Sequence, residues 1–326
     1  MSQVNITTGS RLHFGLLCGA PDSGWHYGGI GLMLDQPAWQ LSVSRNCAGK
    51  ADDLRTSTVV AERLRRLLAD YRHQTADRTA VTIVTSQEVD FHTGLGSGTQ
   101  LTLAVAAALL ILNGQSLPAR MTELATALGR SRRSAIGTFG FERGGFVVDH
   151  GRSTDVVQRI SFPDEWRMVL LTPVSQSGLS GASEETFFGQ HEFLAQTTVD
   201  LFDSLIRDHI IPSLQQRHFP TFQRSLAEYG TLVGQDYAAA QGGIYSHPLV
   251  RDVTDRLEQQ GITGAVQSSW GPTVAIPAAS AADAERIQVA VTECMSSSDM
   301  RVQICQARNS GATIRSTAPE SDRVWA

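Results

Sequence analysis

The stretch from Ser97 to Leu112, SGTQLTLAVAAALLIL, restricts this chain more than any other feature. Small or apolar residues occupy nearly every side of the helix it would form, so no polar face exists to meet water and the helix must be buried. Asn113-Gly114 then stops the run as a helix C-terminus does. A helix buried on all sides needs layers around it. The 326 residues, 41% hydrophobic and 18% charged, are enough for two cores, which predicts two domains of similar size.

Composition removes several classes of function. A formal net charge of -5 gives no broad electrostatic footprint for nucleic acid, although a local basic pocket remains compatible with a small anion. Cys18, Cys47, Cys294 and Cys305 lie far apart without a CxxC pair, so neither a zinc ribbon nor a dithiol centre is indicated, and a reduced cytoplasmic protein fits best. The opening MSQVNITTGSRLHF lacks the basic start and apolar core of a secretory signal. No apolar run reaches the roughly 20 residues that span a bilayer.

Strands are predicted over Val4–Cys18 and Trp39–Ser44, with the glycine-rich Tyr27-Gly28-Gly29-Ile30-Gly31 between them. Helical spacing of Val60, Leu64, Leu67, Leu68 and Tyr71 predicts a helix over Ser57–Tyr71, with Glu62, Arg63, Arg65 and Arg66 on its solvent face. A strand over Ala80–Thr85, a helix over Met121–Leu128 and a strand over Gly145–Asp149 follow. Polar residues with a proline near Ser161–Asp164 place a boundary at 163/164, dividing the chain into 1–163 and 164–326. Beyond it the patterns predict a strand over Arg167–Thr172 and helices over Glu192–Ile211 and Phe219–Tyr237. A strand over Pro272–Ile276, a helix over Ala281–Met295 and a strand over Arg301–Arg308 complete the half, and the tail after Gly311 is expected to be loosely held. Such alternation describes an α/β chain of α+β type.

Directly before the buried helix stands His92-Thr93-Gly94-Leu95-Gly96-Ser97-Gly98-Thr99-Gln100. Gly94, Gly96 and Gly98 allow successive N–H groups to converge on an anion, and the helix start adds its free N–H groups and dipole. Ser97 and Thr99 contribute hydroxyls. No lysine follows as in a Walker A loop, and the GxGxG spacing lacks the later acidic partner of a dinucleotide fingerprint. Alone, a glycine triplet is more often a plain turn.

Five blocks in order give it context. HTGLGSGTQ resembles the phosphate loop of the GHMP kinase superfamily and, more closely, its form in beta-ribofuranosylaminobenzene 5'-phosphate synthases. Arg11 to Leu16 with Tyr27 to Leu34, then Arg133 to Gly137 with Phe141 to Asp149, are similar to the N-terminal and middle blocks of that family. Gly178 to Gly181 with Glu184 and Glu185, and Gln267-Ser268-Ser269-Trp270-Gly271-Pro272, resemble the later ones. The chain departs from a GHMP kinase at Gln100, where a small residue is usual, and at QSSWGP, where a glycine-rich motif is usual. Val266 and His150 stand where the synthases more often carry glycine.

The resemblance implies a two-domain GHMP kinase-like fold, with an N-terminal ribosomal protein S5 domain 2-like domain and a C-terminal ferredoxin-like domain. It implies condensation of phosphoribosyl pyrophosphate with 4-aminobenzoate, with loss of CO2 and pyrophosphate, in tetrahydromethanopterin biosynthesis. Mg²⁺ is the implied cofactor and a homodimer the assembly the family suggests. An ATP-dependent small-molecule kinase and a non-catalytic phosphate-ligand sensor are the alternatives on the same fold.

That chemistry requires stabilisation of a departing diphosphate, a cationic ribosyl centre and a ring that loses its carboxylate. Gly94 to Gln100 is the candidate cradle. Arg11 and Arg143 are the candidate cations, since a guanidinium grips two oxygens at once. His13 lies two residues from Arg11 on a strand, so both side chains share a face; His92 adjoins the loop. Asp149 ends an apolar strand, as a Mg²⁺ ligand or a turn carboxylate, with Glu142 and Glu185 as lesser candidates. Trp270 and Tyr27 are candidate aromatic walls, with core packing the competing role for the tryptophan. Gln267, Ser268 and Ser269 are candidates for substrate hydroxyls or the carboxylate.

Overall fold

Alternating apolar residues open the chain as two long antiparallel strands, β1 (Gln3–Cys18) and β2 (His26–Arg45), in a computed structural model that describes residues 2–317 except 24, 48, 50, 76, 118–120, 131–132, 152–156, 176–181 and 296–297. The glycine-rich segment expected between strands lies inside β2. An added Cβ at Gly29 would stand 2.3 Å from the Gly15 carbonyl oxygen, and one at Gly31 2.5 Å from that of Leu12, so glycine is what lets the two backbones approach.

The first half continues with β3 (Asp53–Arg55), α1 (Thr58–Thr75), β4 (Val81–Gln87), α2 (Ser97–Leu112), α3 (Met121–Ala127), α4 (Ile136–Arg143), β5 (Phe146–Asp149) and β6 (Val157–Ile160). The second half holds β7 (Arg167–Pro173), α5 (Ala182–Gln190), α6 (Gln196–Ser204), a π-helical turn (Leu205–Ile210), α7 (Ile211–Gln215), α8 (Phe219–Gln241), α9 (Pro248–Gln259), β8 (Val266–Gln267), β9 (Val274–Ala278), α10 (Ala281–Cys294), β10 (Met300–Cys305) and β11 (Thr313–Ser316). Among the described residues the first sheet runs β11-β1-β2-β4-β3, with β5 on β2 and β6 on β5; the second runs β10-β7-β9-β8. Only β3 and β4 pair in parallel among these strands.

The buried helix has the bounds its composition predicts. Leu101, Leu103, Val105 and Leu109 of α2 are each at most 3% exposed, and full burial of such a side chain contributes about 1.5–3 kcal/mol. Gly114 at φ 70° ends it, with N–H groups of Gly114 and Gln115 returning to the Ile111 and Leu110 carbonyls at 3.0 and 2.9 Å. One core packs α1, α2 and α3 on the first sheet. A second joins that sheet to β7 and the α6–α8 region, and a third lies under α9 and α10. β7 serves two of them by strand alternation: Met168 and Leu170 enter the core shared with the first sheet, Val169 and Leu171 the core beneath α9 and α10.

Three expectations are corrected. The tail after Gly311 is held, because Thr313–Ser316 pairs antiparallel with Val4–Thr7 along the outer edge of β1. The helix expected over Glu192–Ile211 starts at Gln196 and passes through a π-helical turn before Pro212 sits in the first turn of α7. Arg301–Arg308 is a strand only to Cys305. The expected boundary at 163/164 falls between β6 and β7, where the sheets change. α4, α5 and α9 were not anticipated.

Candidate active site

The glycine loop lies between β1 and the turn that follows β8. From the β1 side, the Arg11 N–H donates to the Leu95 carbonyl at 2.9 Å. From the other, the Ser268 hydroxyl donates to the Gly94 carbonyl at 2.8 Å while accepting the His13 N–H at 3.0 Å. The Ser269 N–H donates to the His13 carbonyl at 2.6 Å, and the Thr273 N–H to that of Thr93 at 3.3 Å. The glycine loop and the QSSWGP turn, far apart in sequence, therefore hold the same strand. Gly94, at φ 84°, has room for nothing more: an added Cβ would stand 2.4 Å from the Ser268 carbonyl oxygen. Gly96, at φ 66°, caps α2 without a side-chain hydrogen bond.

Arg11 and His13 share a face of β1. An added Cβ on Gly96 would lie 2.9 Å from Arg11 Nε and one on Gly137 3.6 Å from it, so the guanidinium is packed between the loop and α4. His13 is 5% exposed, and burial, then the nearby Arg11 charge, holds its pKa well below the usual imidazole value. Its Nε2 lies 3.2 Å from Ser134 Oγ, which donates to Asp149 Oδ2 at 3.1 Å. With the serine hydrogen directed to the carboxylate, His13 is a neutral Nε2–H donor and keeps its Nδ1 lone pair.

The Asp149 carboxylate is already engaged by donors of its own chain. Its Oδ2 also accepts the Ala135 N–H at 2.7 Å and its Oδ1 the Gly151 N–H at 3.1 Å, so the carboxylate organises the entry to α4. Burial raises its pKa against these donors. Among the described residues no group of three or more His, Cys, Asp or Glu is arranged to hold a metal ion.

Other expected residues also change role. Gln100 is fully buried, with Oε1 accepting from Thr8 Oγ1 at 2.6 Å and Nε2 donating to the Gly137 carbonyl at 2.7 Å, so its amide braces β1, α2 and α4 and is not a phosphate ligand. Arg143 sits at the far end of α4 from Ser134, bonded to neighbouring Glu142 at 3.0 Å, and leaves the set of candidate cations. Glu142 itself accepts the Met121 N–H at 3.3 Å. Trp270, 3% exposed, stacks on Tyr237 at 4.5 Å and 13° and meets Phe187 edge-on at 4.6 Å, which makes it core. Gln267 spends its amide on Ser246, Gln241 and Ser269. Ser268 acts in the clamp described above through its hydroxyl and Ser269 through its backbone N–H. Ser97 is buried and Gly98 and Thr99 lie on the first turn of α2. Gly178 to Gly181 fall outside the described residues.

Tyr27, at φ 62°, remains on the site's aromatic side: its half-buried ring meets Phe188 at 6.2 Å and 88°, and Arg133 lies over Phe188 with Cζ 4.6 Å from the centroid. Arg133 adjoins Ser134 in sequence. Ser134 itself was missed as a functional group, though it lies within one of the quoted blocks. His92, at φ 61°, takes the strained position at the loop's entry, and burial followed by Arg63 lowers its pKa.

Fold and loop together resemble those of GHMP-type proteins, and comparison with known proteins supports the likeness. A GHMP kinases N terminal domain match covers residues 58–141, from α1 to α4. Mevalonate diphosphate decarboxylase from Enterococcus faecalis superposes with a TM-score of 0.67 over 97% of this chain and 100% of that one, at 16% identity. The chain thus has the GHMP kinase fold. Among its relatives are beta-ribofuranosylphenol 5'-phosphate synthases: that of Methanothermobacter thermautotrophicus is 29% identical, covering 83% of this chain and 88% of its own, and that of Archaeoglobus fulgidus 28% identical, covering 83% and 86%. The resemblance carried by the five blocks extends along most of the chain. No described helix is long and apolar enough to cross a membrane.

Proposed function

We propose that this protein is a ribofuranosylbenzene-type 5'-phosphate synthase, an enzyme that joins phosphoribosyl pyrophosphate to 4-aminobenzoate and releases CO2 and pyrophosphate. The observation that carries this reading over an ATP-dependent kinase is Gln100. Where the kinases usually have a small residue, the first turn of α2 here is filled by a fully buried amide with both ends bonded, alongside similarity to synthases over 83% of the chain.

The chain's own residues meet the demands of the reaction without acid–base machinery at the ring. The bond from ribose C1 to the diphosphate oxygen breaks with its electron pair on oxygen, and the ring carbon bearing the carboxylate bonds to C1. Losing CO2 returns an electron pair to the ring and restores aromaticity, so no proton is removed from that carbon. Loop N–H groups and Arg11 favour the growing negative charge. A neutral His13 adds no competing cation beside Arg11. Tyr27, Phe188 and Arg133 supply a ring surface and a cation for the aromatic acid. The side chain expected to hold Mg²⁺, Asp149, accepts two donors on Oδ2 and one on Oδ1, and no step is assigned to a protein-held metal.

The relatives' name specifies a phenol, which makes 4-hydroxybenzoate the acceptor to compare with 4-aminobenzoate. The test is release of labelled CO2 from each carboxyl-labelled acid by the purified protein with Mg²⁺, with and without phosphoribosyl pyrophosphate, and with ATP as control. Release that depends on phosphoribosyl pyrophosphate is the expected result. Its absence, together with ATP turnover on an alcohol, would return the protein to the kinases.

A further inference from the structure

Cations approach the glycine loop from a second side that the site above does not use. Arg63 reaches from α1 to the first turn of α2, where an added Cβ at Gly98 would stand 2.6 Å from its Nη2. Its guanidinium rests on the Phe91 ring, Cζ 4.7 Å from the centroid, and so has a fixed place. Arg130 comes from another element. Beyond α3, Gly129 at φ 70° donates its N–H to the Thr126 carbonyl at 3.0 Å, and the Arg130 N–H goes to that of Ala125 at 2.7 Å. This six-to-one and five-to-two pattern sets the direction in which Arg130 leaves the helix.

Arg63, Arg66 and Arg130 line one cavity of about 400 Å³ together with Phe91, His92 and Thr102. Burial first, then the charges of Arg130 and Arg66, lowers the pKa of Arg63; burial lowers that of Arg130, with Asp70 opposing. Glu62 and Asp70 also line the cavity. Among the described residues, however, no carboxylate is hydrogen-bonded or ion-paired to any of the three arginines. Converging guanidiniums with no carboxylate bound between them repel one another, and an oxyanion with several acceptors relieves that repulsion while gaining forked, charge-assisted hydrogen bonds.

We propose that Arg63 and Arg130 form a diphosphate subsite on the Gly98 side of the loop, holding the leaving group of the ribosyl donor while Arg11 and His13 face its ribosyl end. The assignment rests on the synthase reading. When the C1–O bond breaks, its electron pair goes to an oxygen of the diphosphate, and these two guanidiniums bear on the anion that receives it. The same chemistry is present in the tail of a nucleotide, so the test must separate the two sources.

Inorganic pyrophosphate with Mg²⁺, and separately ATP with Mg²⁺, are titrated calorimetrically into the wild-type chain and into Arg63→Gln, Arg130→Gln and the double variant. Pyrophosphate affinity should fall at least about tenfold in the double variant, the loss expected when charge-assisted hydrogen bonds to an anion are removed. In the CO2-release assay the KM for phosphoribosyl pyrophosphate should rise by a similar factor while the KM for the aromatic acid stays put. Pyrophosphate binding that is absent from the wild type, or equal in wild type and variants, overturns the subsite, as does a loss confined to ATP. Should the double variant melt early, Arg63→Lys and Arg130→Lys keep the charge and remove the fork; unchanged pyrophosphate affinity in both then overturns it. The subsite fails alone when wild-type CO2 release depends on phosphoribosyl pyrophosphate but the variants bind pyrophosphate normally. Both readings fail when the wild type releases no CO2.

Discussion

On the Gly96 side of the loop, Arg11 packs against Gly96 and Gly137 and His13 is buried, while Ser134, Ser268 and Asp149 use up hydrogen bonds that a ligand would otherwise compete for. On the Gly98 side, Arg63 and Arg130 face an open cavity with no bound carboxylate among the described residues. The first side is preorganised by burial, so its integrity is a matter of folding free energy. The second is organised by charge, so its integrity is a matter of what binds. Substitutions should follow that division: stability losses on one side, affinity losses on the other.

The strongest expected break lies behind the buried side. Trp270→Ala removes a ring held between Tyr237 and Phe187, and such a truncation costs about 3–5 kcal/mol; denaturant unfolding measures it. A variant of unchanged stability with a raised KM for the aromatic acid would move the ring out of the core and into the substrate's path. Ser268→Ala comes next. It leaves the His13 N–H and the Gly94 carbonyl without their shared hydroxyl, at a cost of about 1–3 kcal/mol. Equal stability of variant and wild type would mean that the clamp on the loop is not energetic.

The smallest effect is a slope. Because burial keeps the folded pKa of His13 below the value of about 6.5 expected in the unfolded chain, the unfolded chain takes up its proton first on acidification. Stability is therefore full above that pH and declines as pH falls from there toward the folded pKa. His13→Gln should make the decline between about pH 7 and 5 shallower, with His92 and His247, also lowered by burial, accounting for part of what persists. A slope unchanged by the substitution would place a charged imidazole in the folded protein and break the contrast between the two sides.

Features written in local sequence were readable in advance. α2 has the predicted bounds because composition, the preceding glycines and Asn113-Gly114 all act within its own turns. The common face of Arg11 and His13 followed from strand alternation alone. What failed depended on partners elsewhere in the chain. Arg63 reads as the solvent side of an amphipathic helix until the turn after α3 brings Leu128 and Arg130 to the cavity it lines. The polar neighbours of Trp270 suggested a binding wall, yet Ser268 and Ser269 spend their groups on the loop and on β1, leaving the ring inside. Gln100 and Asp149 have the residue types of ligands, and only the positions of Thr8, Gly137, Ala135 and Gly151 show them already engaged. Arg143 lay close to the right block but at the wrong end of its helix.

The strand that returns from the end of the described chain to the edge of β1 has a consequence during synthesis. Val4 to Thr7 are synthesised long before their partners Thr313 to Ser316, so the sheet carrying Arg11 and His13 has one edge unpaired through all the synthesis that separates them. An open edge of this kind is a template for pairing with another chain. β11 is thus made long after the strand whose edge it closes, and in that interval the nascent protein is exposed to misassembly at the very sheet that carries Arg11 and His13.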